Sequence, residues 1–179
     1  ILIIRDVTES KQKQREIEFL STHDYLTGLY NRRFFTETLS DFDKKALYPL
    51  GVMMIDVNGL KIINDAYGHD VGDTVLINIA KAIEEISKER GIASRIGGDE
   101  FTVILNRTTK EEIQDLRDQM NQKINDISVK NVSLSVSIGY AMKETMHSAL
   151  VTEALVAAIG RQDLRCKDGL IAHTDRGSQ

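Results

Sequence analysis

The sequence has very little cysteine. Its one cysteine, Cys166, can form no internal disulfide and has no nearby partner with which to build a zinc knuckle. A reducing cytoplasm is therefore the expected compartment. The chain also lacks any stretch near the roughly 18 to 20 uninterrupted apolar residues of a membrane span. Its first residues lack the charged, apolar and small-residue zones of a signal peptide. A soluble segment without membrane contact is expected, and any membrane anchor of the full-length protein would lie in regions outside this chain. Nor is positive charge in excess, since 23 Lys and Arg stand against 27 Asp and Glu for a formal net charge of −4. That balance argues against nucleic acid as a partner and for small molecules, leaving room for a few cations around a phosphate group. No internal repeat or low-complexity tract is evident.

What is present is a chain of 179 residues, 41% of them hydrophobic, enough for one core and a short appendage. The apolar run from Ile1 to Ile4 is too short to fold alone and is expected to be the last strand of an upstream unit. Residues 8–23 are polar and helix-favouring, with Ile17 and Leu20 three apart on one face. They read as a linker helix, and a solvated helix and a coiled-coil signalling helix are both open. Turn chemistry around Gly28 and Asn31 precedes a helix over residues 32–46. The continuous run Val52-Met53-Met54-Ile55 predicts a central strand over residues 50–57, buried on both faces.

Val75, Leu76, Ile79, Ala82, Ile83 and Ile86 form the stripe of an amphipathic helix over residues 72–90. Residues 92–96 and 99–105 are strand-like and separated by Gly97 and Gly98, which predicts a β-hairpin closed by a two-residue turn of primed geometry. A second amphipathic helix follows over residues 110–125. Val132, Leu134, Val136 and Ile138 then alternate with Ser133, Ser135 and Ser137, the period of one half-buried strand. Residues 148–165 read as a last helix. This order predicts an α+β fold, a central and mainly antiparallel sheet flanked by helices.

Three acidic residues stand at turn junctions: Asp56 at the end of the apolar strand, and Asp99 and Glu100 just after the glycine pair. Singly, each has an ordinary reading as a turn former, a helix N-cap or hairpin chemistry. If the hairpin lies beside the central strand, their carboxylates meet and repel unless a cation sits between them. Hard oxygen ligands point to Mg2+ or Mn2+, ions that commonly also take substrate phosphates.

Four segments extend this pattern. Gly97-Gly98-Asp99-Glu100-Phe101 follows Arg95-Ile96. Upstream stand Asp56-Val57-Asn58-Gly59-Leu60-Lys61, Asn64-Asp65, Gly68-His69 and Gly72-Asp73; earlier still come Asp24, Leu26-Thr27-Gly28-Leu29 and Asn31-Arg32, and later Ser137-Ile138-Gly139. Over about residues 22–141 the chain resembles the GGDEF family of diguanylate cyclases. The resemblance implies a nucleotidyl-cyclase, ferredoxin-like palm whose hairpin carries the signature loop. It implies condensation of two GTP into cyclic di-GMP and two pyrophosphates, assisted by Mg2+ or Mn2+, in a homodimer that brings two domains face to face.

By the same resemblance, Asp56 and Asp99, with the Val57 carbonyl, would hold the ions. Glu100 would serve as a further metal ligand or as the group that helps deprotonate the attacking 3′-hydroxyl. Asp99 and Glu100 are the catalytic pair, although consecutive strand residues face opposite ways unless the turn twists them together. Asn64 and Asp73 would read guanine, because a carboxylate accepts from N1–H and the 2-amino group, neither of which adenine offers. Asn58, Gly59 and Leu60 would turn backbone N–H groups toward the phosphates at the start of a helix, with Lys61 supplying charge nearby. Phe101 reads as core, His69 as a packing or hydrogen-bonding residue, and Arg95 as structural or a surface cation.

The chain departs from the family in three places. Asn58 and Gly59 stand where a second Asp and a bulkier residue are more common. Lys88 and Gly91 replace the Arg and Asp of an inhibitory product site, so feedback inhibition there is not expected. The stretch 154–167 lacks the family's usual Tyr-x-x-Lys pattern, with Arg161, Arg165 and Lys167 as stand-ins for phosphate-contacting cations. The segment Ile3-Ile4-Arg5-Asp6-Val7-Thr8-Glu9 resembles the exit of a PAS sensor domain. The expected plan is the end of an upstream sensor domain and a linker helix over 1–22, a GGDEF catalytic domain over 23–173 and a tail over 174–179. The alternative is a GGDEF domain without turnover, acting as a GTP-binding regulatory or partner-binding module.

Overall fold

The computed structural model describes residues 8–143 and 171–174. The apolar run becomes strand β2 (Leu50–Val57), with the predicted bounds. Around it lie β1 (Tyr30–Asn31), β3 (Gly91–Arg95), β4 (Glu100–Asn106), β7 (Val136–Lys143) and β8 (Ile171–Thr174) in one sheet of order β1-β3-β4-β2-β7-β8. Every neighbouring pair is antiparallel except β1 with β3. A separate two-stranded ladder joins β5 (Ser128–Val129) to β6 (Val132–Ser133).

Alternate residues of β2 enter two cores, which is why its sequence is apolar throughout. Met53, Ile55 and Val57 share one core with Phe101 and Val103 of β4, with Val75, Ile79 and Ile83 of α4 (His69–Ser87), and with Ile113, Leu116 and Met120 of α5 (Lys110–Asn125). Leu50 and Val52 share the other with Ile96, Ile104, and Phe35 and Leu39 of α2 (Arg32–Lys44). Helices α2 and α5 are capped by side chains. Asn31 accepts from the Phe34 N–H, and Thr109 and Glu112 form a reciprocal capping box. Ahead of the sheet lies α1 (Thr8–Thr22), and no helix of the described residues is long and apolar enough to cross a membrane.

Several elements differ from the sequence expectation. Helix α2 ends at Lys44, not residue 46, and Ala46 takes a positive φ of 52°. The helix expected over residues 72–90 is α4, which starts at His69 and ends at Ser87. Gly68, at φ 88° and ψ 162°, separates it from α3 (Leu60–Tyr67), the short helix that opens at Gly59. The hairpin is not closed by a two-residue primed turn. The Ile96 N–H donates to the Glu100 carbonyl at 3.0 Å, so Gly97, Gly98 and Asp99 form the loop, and neither glycine has a left-handed φ. Gly97 serves close approach instead, since a Cβ there would collide with the Glu100 carboxylate. The expected single strand of alternating serines is divided: residues 132–133 belong to β6, Leu134 N–H donates to the Ile127 carbonyl at 3.0 Å, and β7 begins at Val136. Inward Leu134 and Ile138 are buried as the alternation requires. Thr174 closes β8, so it is sheet and not the first residue of a tail. The expectations for residues 1–4 and 148–165 lie outside the described residues.

At the end of β2 remote from Asp56, a Cβ on Gly51 would collide with Cδ1 of Ile113 and lie 3.0 Å from Cγ2 of Thr108. Gly51→Ala is expected to destabilise the fold by about 1–3 kcal/mol through overpacking. Denaturant titration should show that loss, and Ile113→Val in the same chain should recover part of it.

Candidate active site

The β2–β4 register decides which acidic side chains meet. Asp56 is the Cα partner of Glu100 on one side and of Ser137 on the other. The Val57 N–H donates to the Asp99 carbonyl at 3.1 Å, which makes Asp56 and Glu100 the next, non-hydrogen-bonded pair. Side chains at such positions lie closest, with a Cα separation of about 4.5 Å. Although Asp56 is exposed at the strand end, partial desolvation and then the charges of Asp99 and Glu100 push its carboxyl above the ordinary carboxylate range. Asp99 and Glu100 therefore both act on Asp56 at the carboxyl end of β2.

A strained group of anions is what a cation would relieve. No three His, Cys, Asp or Glu side chains among the described residues converge closely enough to hold an ion by themselves. That still fits Mg2+, which is commonly held by one or two carboxylates together with substrate phosphates and water. Asp56 and Asp99 or Glu100 supply such a donor set.

Asn58 differs from expectation. Its N–H donates to the Ser135 carbonyl at 3.0 Å, because the β2–β7 pairing runs one residue past the strand end. Its side chain is also bound: Nδ2 donates to Ser135 Oγ at 3.1 Å, and Ser137 Oγ donates to Oδ1 at 2.8 Å. Among the predicted phosphate-facing donors, Asn58 is thus committed to the protein. Gly59 adopts a left-handed φ of 72° as the N-cap of α3, and Leu60 and Lys61 form its first turn. There the N–H groups have no intrahelical acceptor. Lys61 is exposed, and Leu60 is buried beneath it.

Asn64 lies in α3 and Asp73 in α4, brought together by the sharp corner at Gly68. Asp73 is exposed, whereas Asn64 is half-buried and its Oδ1 is buried without a hydrogen-bond partner. Phe101 is fully buried core, as expected.

Arg95 is structural, one of the two readings the sequence allowed, and it fixes the signature loop. Its Nη1 donates to Asp24 Oδ1 at 3.0 Å and its Nη2 donates to the Gly98 carbonyl at 2.7 Å. Asp24 Oδ1 also accepts from the Thr27 N–H at 2.9 Å and the Thr27 hydroxyl at 2.7 Å. Sequence reasoning missed this link, and it missed Ser135 and Ser137 as the partners of Asn58. The serine alternation carried the second signal, but only the register converts it into a contact. Arg161, Arg165 and Lys167 lie outside the described residues.

With this geometry in place, comparison with known proteins is specific. The family described as "Diguanylate cyclase, GGDEF domain" matches residues 21–159. The diguanylate cyclase DgcM of Escherichia coli is 32% identical over 148 residues, covering 80% of this chain and 36% of that protein. The cyclic di-GMP phosphodiesterase PdeB of Shewanella oneidensis is 33% identical over 148 residues, covering 79% of this chain and 17% of that protein. The chain thus spans about a third or less of these relatives' length. The crystal structure of the coiled coil and GGDEF domain of DgcB from Caulobacter crescentus, in complex with c-di-GMP, is similar with a TM-score of 0.71 at 25% identity, covering 87% of this chain and 91% of that one.

The Asp24–Arg95 link has a pH signature. Burial opposes the Asp24 charge, but the Thr27 hydroxyl and N–H and the Arg95 guanidinium outweigh it and hold the carboxyl below its ordinary 3.8. A depressed carboxyl contributes stability above its unfolded value, and that contribution is lost as pH falls through the folded one. Asp24→Asn is expected to cost about 1–2 kcal/mol at neutral pH. In paired denaturant titrations the gap between parent and variant should narrow below about pH 4.

Proposed function

Because this chain belongs to the GGDEF family of diguanylate cyclase domains, we propose that it condenses two GTP molecules into cyclic di-GMP with release of two pyrophosphates. The observation that carries this reading is the set of acids at the end of β2, where Asp56 is raised above the ordinary range by partial desolvation and by Asp99 and Glu100. Such crowding has no evident value to the fold and suits a site for phosphates and Mg2+ or Mn2+.

Asp56, Asp99 and the Val57 carbonyl would hold the divalent ions, with Glu100 as a further ligand. When bound, such ions polarise the α-phosphoryl group and offset the charge of departing pyrophosphate. The first turn of α3, at Gly59, Leu60 and Lys61, faces the phosphates with N–H groups and one ammonium. Asp73 accepts from guanine N1–H and the 2-amino group, and Asn64 contacts the same base. The 3′-oxygen of one GTP attacks the α-phosphorus of the other, the bond to pyrophosphate breaks, and Glu100 is placed to take the hydroxyl proton where it does not serve as ligand.

Closing the ring requires this displacement twice between two nucleotides. Each domain holds one GTP, so two copies must meet across a two-fold axis and a lone domain is inactive. In this reading residues 1–22 are the end of an upstream sensor domain and a linker helix, and the catalytic domain, expected over residues 23–173, runs through Thr174 at the end of β8. Ile17, Phe19 and Leu20 of α1 are exposed, which suits a helix that sets how two domains meet. In this reading the segment works in the cytoplasm, and any membrane anchor of the full-length protein lies outside this chain.

The match to a phosphodiesterase favours one second reading, a domain that binds GTP as a regulatory module without turnover. Incubating concentrated protein with GTP and Mg2+ or Mn2+, then separating the nucleotides, decides between them. Cyclic di-GMP is expected; bound GTP with no cyclic product would establish the module. Asp56→Asn and Asp99→Asn should each lower turnover by on the order of 10²-fold or more, and unchanged activity in both would remove the proposed metal site. Asp73→Ser should cost about 2 kcal/mol of the preference for GTP over ATP, measured by competitive titration.

A further inference from the structure

Glycine is a poor choice at position 72 on helical grounds. The residue lies inside α4, where glycine is less stable than alanine, and its φ is not left-handed, so no turn requires it. A single neighbour does. A Cβ on Gly72 would collide with Oδ1 of Asn64 and lie 2.9 Å from its Cγ and 3.4 Å from its Nδ2, and these are its three nearest atoms. The same tight corner holds both residues. The Gly68 N–H donates to the Asn64 carbonyl at 2.9 Å, and the Gly72 N–H donates to the Gly68 carbonyl at 3.3 Å.

The seated amide is not there for stability. Asn64 Oδ1 is buried without a hydrogen-bond partner, an arrangement that costs free energy and that an apolar side chain would avoid. Oδ1 is the amide atom nearest Gly72 and Nδ2 the farthest of the three, so the oxygen is turned in against α4. The orientation is therefore set by the bare Cα on which the amide rests.

We propose that Gly72 is a positioning residue for base selection, its missing side chain being the seat that orients the Asn64 amide one residue away from Asp73. This rests on the reading that Asn64 and Asp73 recognise guanine. Adjacent residues of α4 then divide the task, with Gly72 orienting an amide donor and Asp73 presenting a carboxylate. A side chain at 72 turns the amide out of place while leaving Asp73 and the acids of β2 untouched.

The test is a double-mutant cycle on the full chain with Gly72→Ala, Asn64→Ala and the pair, read by GTP titration, by KM and kcat, and by preference for GTP over ATP. Gly72→Ala is expected to weaken GTP binding about tenfold and lower the GTP preference, with kcat within about twofold. In the Asn64→Ala background it should cost nothing further. Melting supplies a readout that survives poor folding of the single variant. Gly72→Ala should lower Tm in the parent and leave it equal or higher in Asn64→Ala, where no amide remains to collide and alanine favours the helix. Equal losses of affinity in both backgrounds, or no loss in the parent, would overturn the proposal and assign Gly72 to helix packing or to no role. If instead Asn64→Ala alone binds GTP as the parent does, the guanine reading itself fails, and the proposal with it.

Discussion

The crowding of Asp56 by the charges of Asp99 and Glu100 is the constraint on which the rest of the molecule depends. Like charges directly opposite on an antiparallel pair destabilise it, and Asp56 and Glu100 stand in that relation. The register must be enforced from elsewhere. Phe101, next to Glu100, is fully buried against α4 and α5, and Ile104 is fully buried toward α2. A slip of one residue would exchange these two faces and expose both cores. Burial on both sides of β2 and β4 thus keeps the acids together despite their repulsion.

The parts of the fold legible in the sequence were those where one physical signal dominated. Strand β2 was bounded correctly because its apolar run ends at Asp56, and α5 because its stripe of Ile113, Leu116, Met120 and Ile124 has no competitor. One miss is a glycine read as turn chemistry where it serves close approach: Gly97 yields space to Glu100 and has no left-handed φ. Gly68, which does have one, marks the α3–α4 corner that periodicity ran across. Strands β1, β5 and β6, two residues each, are too short to leave a pattern. Of the site, the acids could be named from position alone. The commitment of Asn58 to β7 could not, because it depends on which strand lies beside β2.

The signature loop is also tied to the start of the domain. Phe19 of α1 stacks on His23 with centroids 4.1 Å apart, His23 meets Tyr30 at 4.6 Å, and Tyr30 stacks on Phe34 of α2 at 3.9 Å. Asn31, while capping α2, donates through Nδ2 to the Ser21 carbonyl at 3.1 Å. The next residue after His23 is Asp24, whose carboxylate holds Arg95 and, through it, the Gly98 carbonyl. The last turn of α1 is therefore joined by rings and hydrogen bonds to the same peptide that precedes Asp99. The Asp24–Arg95 pair is largely shielded from water, which screens it less than a surface pair.

Asn58 bears on how much charge this strand end can carry. An aspartate there would add a fourth carboxylate within two residues of Asp56, and it could accept from Ser137 but not donate to Ser135. The amide does both, satisfying one serine as acceptor and the other as donor. It also leaves the negative charge near Asp56 one unit lower, which reduces repulsion when no cation is bound. The three acids that remain are the ones the β2–β4 register brings to the strand end, so the departure at position 58 removes charge from beside the site without removing a donor oxygen from Asp56, Asp99 or Glu100. The neutral amide therefore makes the strand end easier to hold in register while leaving the three proposed metal ligands in place.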